Sequence, residues 1–166
     1  MGRLRRYGPA ALGLLAMLWL VSATAAELGA GKKAVARGDY AAALGIWRPL
    51  AERGDADAQY NLGHLYRQGL GVSKSLSEAA KWYGLAAAQG VPNAQFNLAL
   101  MYANGQGVRQ DLVLAHMWLS LAAERFPISD LRDQALANRA AVAEHMTPAQ
   151  LDEANRLAKA WNETGQ

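Results

Sequence analysis

The sequence predicts an all-α solenoid of antiparallel helix pairs, and three observations at one spacing carry the prediction. The stretch Ala58 to Tyr66 (AQYNLGHLY) returns 36 residues later as Ala94 to Tyr102 (AQFNLALMY). Trp82 and Trp118 share that offset. So do Asp39, Ser75, Asp111 and Thr147, each 36 residues from the next, and each of a type whose side chain caps a helix N-terminus. One helix pair cannot bury its apolar face alone, so units stack, and the terminal ones drift from the pattern.

The chain opens with Arg3, Arg5 and Arg6, an apolar run from Ala10 to Val21 and small residues from Ser22 to Ala26. Over residues 1–26 this is the three-part pattern of a secretory signal peptide. Ala23-Thr24-Ala25 fits a small-x-small cleavage site, and cleavage there or after Ala26 leaves a chain starting near Glu27. The apolar run is short for the roughly 20 residues a spanning helix needs. No membrane span is expected once the leader is removed; an uncleaved anchor is the alternative. The expected location is the periplasm.

Residues 27–54 read as N-terminal capping helices. Glu27 to Arg37 is a glycine-interrupted, frayed lead-in. Asp39 then caps Tyr40 to Arg53, where Ala43, Leu44, Trp47, Leu50 and Ala51 recur at helical spacing and Pro49 sits at a position that bends helices. Repeat 1 occupies 55–90. Its first helix, Ala56 to Gln68, sets Ala58, Leu62, Leu65 and Tyr66 on one face, with Gly63 leaving room for a neighbour. After the turn Gly69 to Val72, Ser75 caps the second helix and Glu78 completes a capping box. That helix buries Ala79, Trp82, Tyr83, Ala86 and Ala87.

Repeat 2, 91–126, follows the same plan: a helix from Pro92 to Asn104, a turn at Gly105 to Val108, the cap Asp111, and a helix burying Ala115, Trp118, Leu121 and Ala122. Residues 127–166 form a degenerate pair and tail. Beyond the breaker Phe126-Pro127 come a polar helix from Ser129 to His145 and a closing helix from Pro148 to Asn162, started by a Thr147/Gln150 capping box. The closing helix carries Leu151, Leu157, Ala158 and Trp161, and Glu163 to Gln166 reads as a tail.

Charge narrows the function class. The chain has 17 Lys and Arg against 14 Asp and Glu, but three of the 17 lie in the leader and no acid does. The remainder is neutral, without the basic excess a nucleic-acid binder shows, so no nucleic-acid partner is expected. There is no cysteine, which removes disulfides, thiolate metal sites and a cysteine nucleophile.

The blocks AQYNLGHLYRQGLGV and EAAKWYGLAAAQG, returning as AQFNLALMYANGQGV and LAHMWLSLAAE, closely resemble the Sel-one-like repeat family, relatives of tetratricopeptide repeats. The resemblance is strong over Asp55 to Glu124. It implies a right-handed superhelix whose first helices line a concave surface, and a role in scaffolding protein complexes or binding peptides, in many bacterial members within the cell envelope. Two departures stand out: Ala99 replaces the glycine found at Gly63, and Leu119 replaces the aromatic found at Tyr83. Without cysteine the chain does not resemble the disulfide-stapled branch linked to penicillin binding.

Chemistry is thin. Gly69-x-Gly71 and Gly105-x-Gly107 lack the third glycine and the preceding strand of a phosphate cradle, and read as turns. His64, His116 and His145 fall on three predicted helices with no metal-binding spacing. Neither Ser-x-x-Lys nor Gly-x-Ser-x-Gly occurs. No catalytic residue, metal or cofactor is expected, and Trp82, Tyr83 and Trp118 read as core. A polar row remains: Asn61, His64 and Gln68, matched by Asn97, Leu100 and Asn104, at i, i+3, i+7 and facing away from Leu62.

The expectation is that both rows point into the groove, where amides hold an extended peptide's backbone and Leu100 offers an apolar contact. The alternative is solvated faces, or asparagines spent on inter-repeat hydrogen bonds. The chain therefore reads as a non-catalytic exported adaptor with a protein or peptide partner and an open oligomeric state. Its rivals are a regulatory modulator of a membrane sensor or secretion system, and an envelope hydrolase or cell-wall binding subunit.

Overall fold

A computed structural model describes residues 25–164; the leader reading therefore lies, but for its last two residues, outside the described residues. The described chain is an all-α solenoid of eight helices with no strand: α1 over 25–36, α2 Tyr40–Glu52, α3 Ala56–Gln68, α4 Leu76–Ala88, α5 Pro92–Asn104, α6 Leu112–Arg125, α7 Asp130–Ala143 and α8 Pro148–Thr164. Odd-numbered helices are the first of each pair. Each helix from α2 to α6 packs on its successor, and α6 packs on both α7 and α8.

The caps form as the spacing predicts. Asp39 Oδ1 accepts from the Ala42 N–H at 3.0 Å, Ser75 Oγ from Glu78 at 3.2 Å, Asp111 Oδ1 from Leu114 at 2.9 Å and Thr147 Oγ1 from Gln150 at 3.3 Å. Each satisfies one donor that a helix N-terminus otherwise leaves unpaired. The Thr147 box is reciprocal, since Gln150 Oε1 accepts from the Thr147 N–H at 2.8 Å. The Ser75 box is not: the Ser75 N–H donates to the Tyr66 carbonyl at 3.0 Å, while Glu78 pairs with Lys81 at 3.6 Å. Asp111 N–H donates to Tyr102 in the same way at 3.0 Å, so this bond, tying each second helix to its first, is itself part of the repeat.

Two buried glutamines add a second repeated bond. Gln59 Nε2 donates to the Ala51 carbonyl and Gln95 Nε2 to Ala87, both at 3.1 Å. Those carbonyls lie in the last turns of α2 and α4, where each also accepts a backbone N–H, from Gly54 at 3.0 Å and Gly90 at 2.9 Å; the glutamine takes the second lone pair and staples its unit to the preceding one. The turn glycines do similar work through contact. Gly71 and Gly107 hold φ of 70° and 73°. A Cβ would meet the Tyr40 backbone at 2.9 Å in the first case and the Leu76 carbonyl carbon at 2.3 Å in the second. These turns press on the first residue of the preceding unit's second helix, which only glycine permits.

Apolar burial follows the helical spacing. Ala58, Leu62 and Leu65 in α3, Trp82 and Tyr83 in α4, and Trp118 and Leu121 in α6 are core, each large side chain contributing roughly 1.5–3 kcal/mol. Gly63 behaves as expected, for its Cβ would lie 2.6 Å from the Tyr83 ring.

Two readings need correction. The 25–36 segment is not a frayed lead-in: Gly31 sits so close under Trp47 that a Cβ would stand 2.2 Å from its Nε1, repeating the Gly63–Tyr83 contact. The glycine that lowers helix propensity there is the docking point. At the other end α8 runs through Thr164, so part of the expected tail is helix. It packs onto α6 by an edge contact of Trp161 with Trp118, ring centroids 4.8 Å apart.

Candidate functional site

The odd-numbered helices lie side by side, and the spaces between them hold two depressions separated by a bridge. Between α1 and α3 a depression of about 270 Å³ has Trp47 and Leu65 below and Lys32, Tyr60, Asn61 and His64 around it. Crowding withdraws water from the His64 ring, and this, then the nearby Arg67 charge, lowers its pKa from the ordinary histidine value.

The bridge closes the next space. Arg67 Nη1 of α3 donates to Asn97 Oδ1 of α5 at 3.2 Å. Beneath it the Tyr60 and Tyr83 rings approach with centroids 5.8 Å apart. Burial, then the neighbouring Tyr60, pushes the Tyr83 hydroxyl up to about 12 against an opposing pull from Arg67. Burial likewise raises Tyr60, opposed by its hydrogen bond to Asn97 and by Arg67.

The second depression, about 280 Å³, lies between α5 and α7. Leu100, Ala103, Leu112 and Val142 supply apolar lining, and Asn104, Gln110 and Asn138 a polar rim. His145 also lines it, from the turn after α7 and not from the helix expected to include it.

The six expected groove residues are thus divided. Asn61 and His64 line the first depression, Leu100 and Asn104 the second, and Gln68 lines neither. Asn97 is spent on the inter-repeat bond, the alternative the sequence left open, because Arg67 across the gap needs an acceptor. Asn104 turns its amide back onto its own helix, donating to the Leu100 carbonyl at 2.8 Å. Lys32, Tyr60, Arg67, Gln110 and Asn138 were missed. Lys32 sits on the helix discounted for its glycines, and Arg67 is three residues past His64 on the same face.

Trp82, Tyr83 and Trp118 are buried, as expected of core. His116 is buried in α6; burial, then Arg139, lowers its pKa. Among the described residues no group of three His, Cys, Asp or Glu converges to hold a metal, and no helix is long and apolar enough to cross a membrane.

Comparison with known proteins identifies the two repeats. The Sel1 repeat model matches residues 56–91 and 92–125. A protective antigen present in uropathogenic Escherichia coli strains, c5321, which displays an SLR fold, is 31% identical with a TM-score of 0.76 over 84% of this chain and 30% of that one. A Sel1 repeat protein from Oxalobacter formigenes is 35% identical with a TM-score of 0.56, over 60% of this chain and 39% of that one. The chain thus spans well under half the length of either solved protein. No curated protein sequence matches it.

Proposed function

We propose, from the premise that this is a Sel1-repeat chain, that it is a non-catalytic adaptor of the bacterial cell envelope which binds a protein or peptide partner across its odd-numbered helices. Sel1 repeats generally mediate protein–protein interaction. The observation that carries the reading for this chain is the face itself: two apolar-floored depressions, rimmed by side chains able to hydrogen-bond, flank a fixed Arg67–Asn97 bridge. Because the helices beneath are held by caps, staples and packed rings, docking there orders little of the scaffold and loses little entropy. The basic, apolar, small-residue order of the first 26 residues supports export to the periplasm.

The test is cross-linked co-purification from envelope extracts with two surface variants. His64→Glu with Leu100→Arg alters the odd-helix face. Lys81→Glu with Leu85→Lys alters α4 on the other side, where Leu85 is exposed. A partner lost from the first and kept by the second supports the adaptor reading; the reverse pattern, or loss from neither, overturns it.

A further inference from the structure

The two depressions differ in what they leave free to bond. Three amides rim the one between α5 and α7, and each has its nitrogen committed: Asn104 Nδ2 to the Leu100 carbonyl, Gln110 Nε2 to Ala103 and Asn138 Nδ2 to Gln134, all at 2.8 Å. A carbonyl accepts only from a donor, so these bonds fix which way each amide is turned. The oxygens Oδ1, Oε1 and Oδ1 accept nothing from the described residues and keep both lone pairs, against one remaining N–H apiece. The rim is therefore richer in acceptors than in donors. No lysine or arginine lines it, and its one ionisable lining side chain is His145.

The repeat supplies an internal comparison. Shifting Ala103, Gln110 and His145 back by 36 residues gives Arg67, Lys74 and Arg109. At the repeat positions where the last unit has a methyl group, an amide and a histidine the preceding one thus has three cations, of which Arg67 spans α3 and α5 to Asn97. The depression between α1 and α3 includes Lys32. Of the two depressions on the odd-helix face, the one between α5 and α7 has no lysine or arginine in its lining and sets free oxygens over an apolar floor.

We propose that this depression takes an arginine side chain of the partner, its methylene stem against Leu100, Leu112 and Val142 and its guanidinium on the rim oxygens. Three spread acceptors suit a planar group with five N–H donors better than a compact ammonium. The depression is large enough for one side chain and too small for a folded element. The inference rests on the adaptor reading and names the chemistry of one contact within it.

The test uses nuclear magnetic resonance on the isotopically labelled full chain, titrated with acetyl-Gly-Gly-Arg-Gly-Gly-amide and with analogues carrying norleucine or glutamate in place of arginine. The expected result is a saturable shift of the Asn104, Gln110 and Asn138 side-chain amides by the arginine peptide, with norleucine weaker by about tenfold and glutamate without effect. Gln110→Lys keeps an N–H donor for the Ala103 carbonyl and removes the free oxygen. It should leave thermal unfolding unchanged and weaken the arginine peptide by about tenfold or more.

Equal binding of norleucine, preference for glutamate, shifts confined to the α1/α3 depression, full binding by Gln110→Lys, or no saturable shift would each overturn the inference. Failure here with co-purification intact removes the arginine contact alone. A saturable arginine site on a chain whose odd-face variant still captures its partner removes the adaptor reading instead.

Discussion

The two Sel1 repeats share a backbone and differ in what they set on it. Both carry the buried glutamine, the turn glycine against the preceding unit, the side-chain cap and the bond from the cap's N–H to a tyrosine carbonyl. They part at Gly63 and Ala99, at Tyr83 and Leu119, and along the exposed row, where His64, Arg67 and Lys74 become Leu100, Ala103 and Gln110. The first group handles backbone groups and close approaches, for which one side chain or none will do. The second fills volume or meets solvent, where pairs trade off and surfaces diverge. What repeats is therefore the joint between units, and what varies is the face they present.

That comparison is broken most severely at the turns. Gly107→Ala should cost about 3 kcal/mol, combining a left-handed backbone with a clash against the fixed Leu76 carbonyl. Gly71→Ala, whose Cβ would sit 2.9 Å from the Tyr40 backbone, should cost about 2 kcal/mol. Urea unfolding of the two variants checks both the size and the order.

The core pair comes next. Gly63→Ala drives a methyl into the Tyr83 ring and should destabilise by about 2 kcal/mol, even though alanine favours a helix. Adding Tyr83→Leu recreates the Ala99–Leu119 pair of repeat 2. A double-mutant cycle should show the two changes costing at least about 1 kcal/mol less together than their sum. Additivity would mean that the two departures do not compensate each other.

The glutamines should then separate. Gln95→Leu removes the bond that ties α5 to the Ala87 carbonyl and should cost about 1 kcal/mol, since that oxygen keeps the Gly90 N–H at 2.9 Å. Gln59→Leu should cost more, because Gln59 Oε1 also accepts from Gln89 Nε2 at 2.8 Å while Gln95 Oε1 has no partner. Equal losses would show the second bond to be neutral. The smallest effect belongs to the caps, where Ser75→Ala and Asp111→Ala should each lower stability by about 1 kcal/mol and by similar amounts.

How much was legible depended on how local the cause was. Helices α2 to α6 and all four spaced caps follow from side chains acting within one turn, so periodicity and cap chemistry reveal them. Gln59 and Gln95 were legible as repeated letters but not as staples, since their acceptors belong to the preceding helix. Helix α1 was discounted because glycine lowers helix propensity, whereas Gly31 is held by a ring 16 residues away in sequence. Among the site residues, Asn61, His64, Leu100 and Asn104 reached a depression because i, i+3, i+7 spacing does name a face. Asn97 did not, because its partner Arg67 comes from another unit.

By itself, the sequence determined the all-helical repeat, its 36-residue register, the starts of its capped helices and most of its core, because each rests on interactions a few residues long repeated until they are unmistakable. Only the tertiary structure decided that the polar row is cut by the Arg67–Asn97 bridge, that α8 packs onto α6, and that three amides face their oxygens outward around one depression. The bridge and the α8 packing depend on which helices stand beside each other, and the depression gathers its amides from α5, α7 and the turn after α5; such neighbourhoods are not written in the spacing of a single helix.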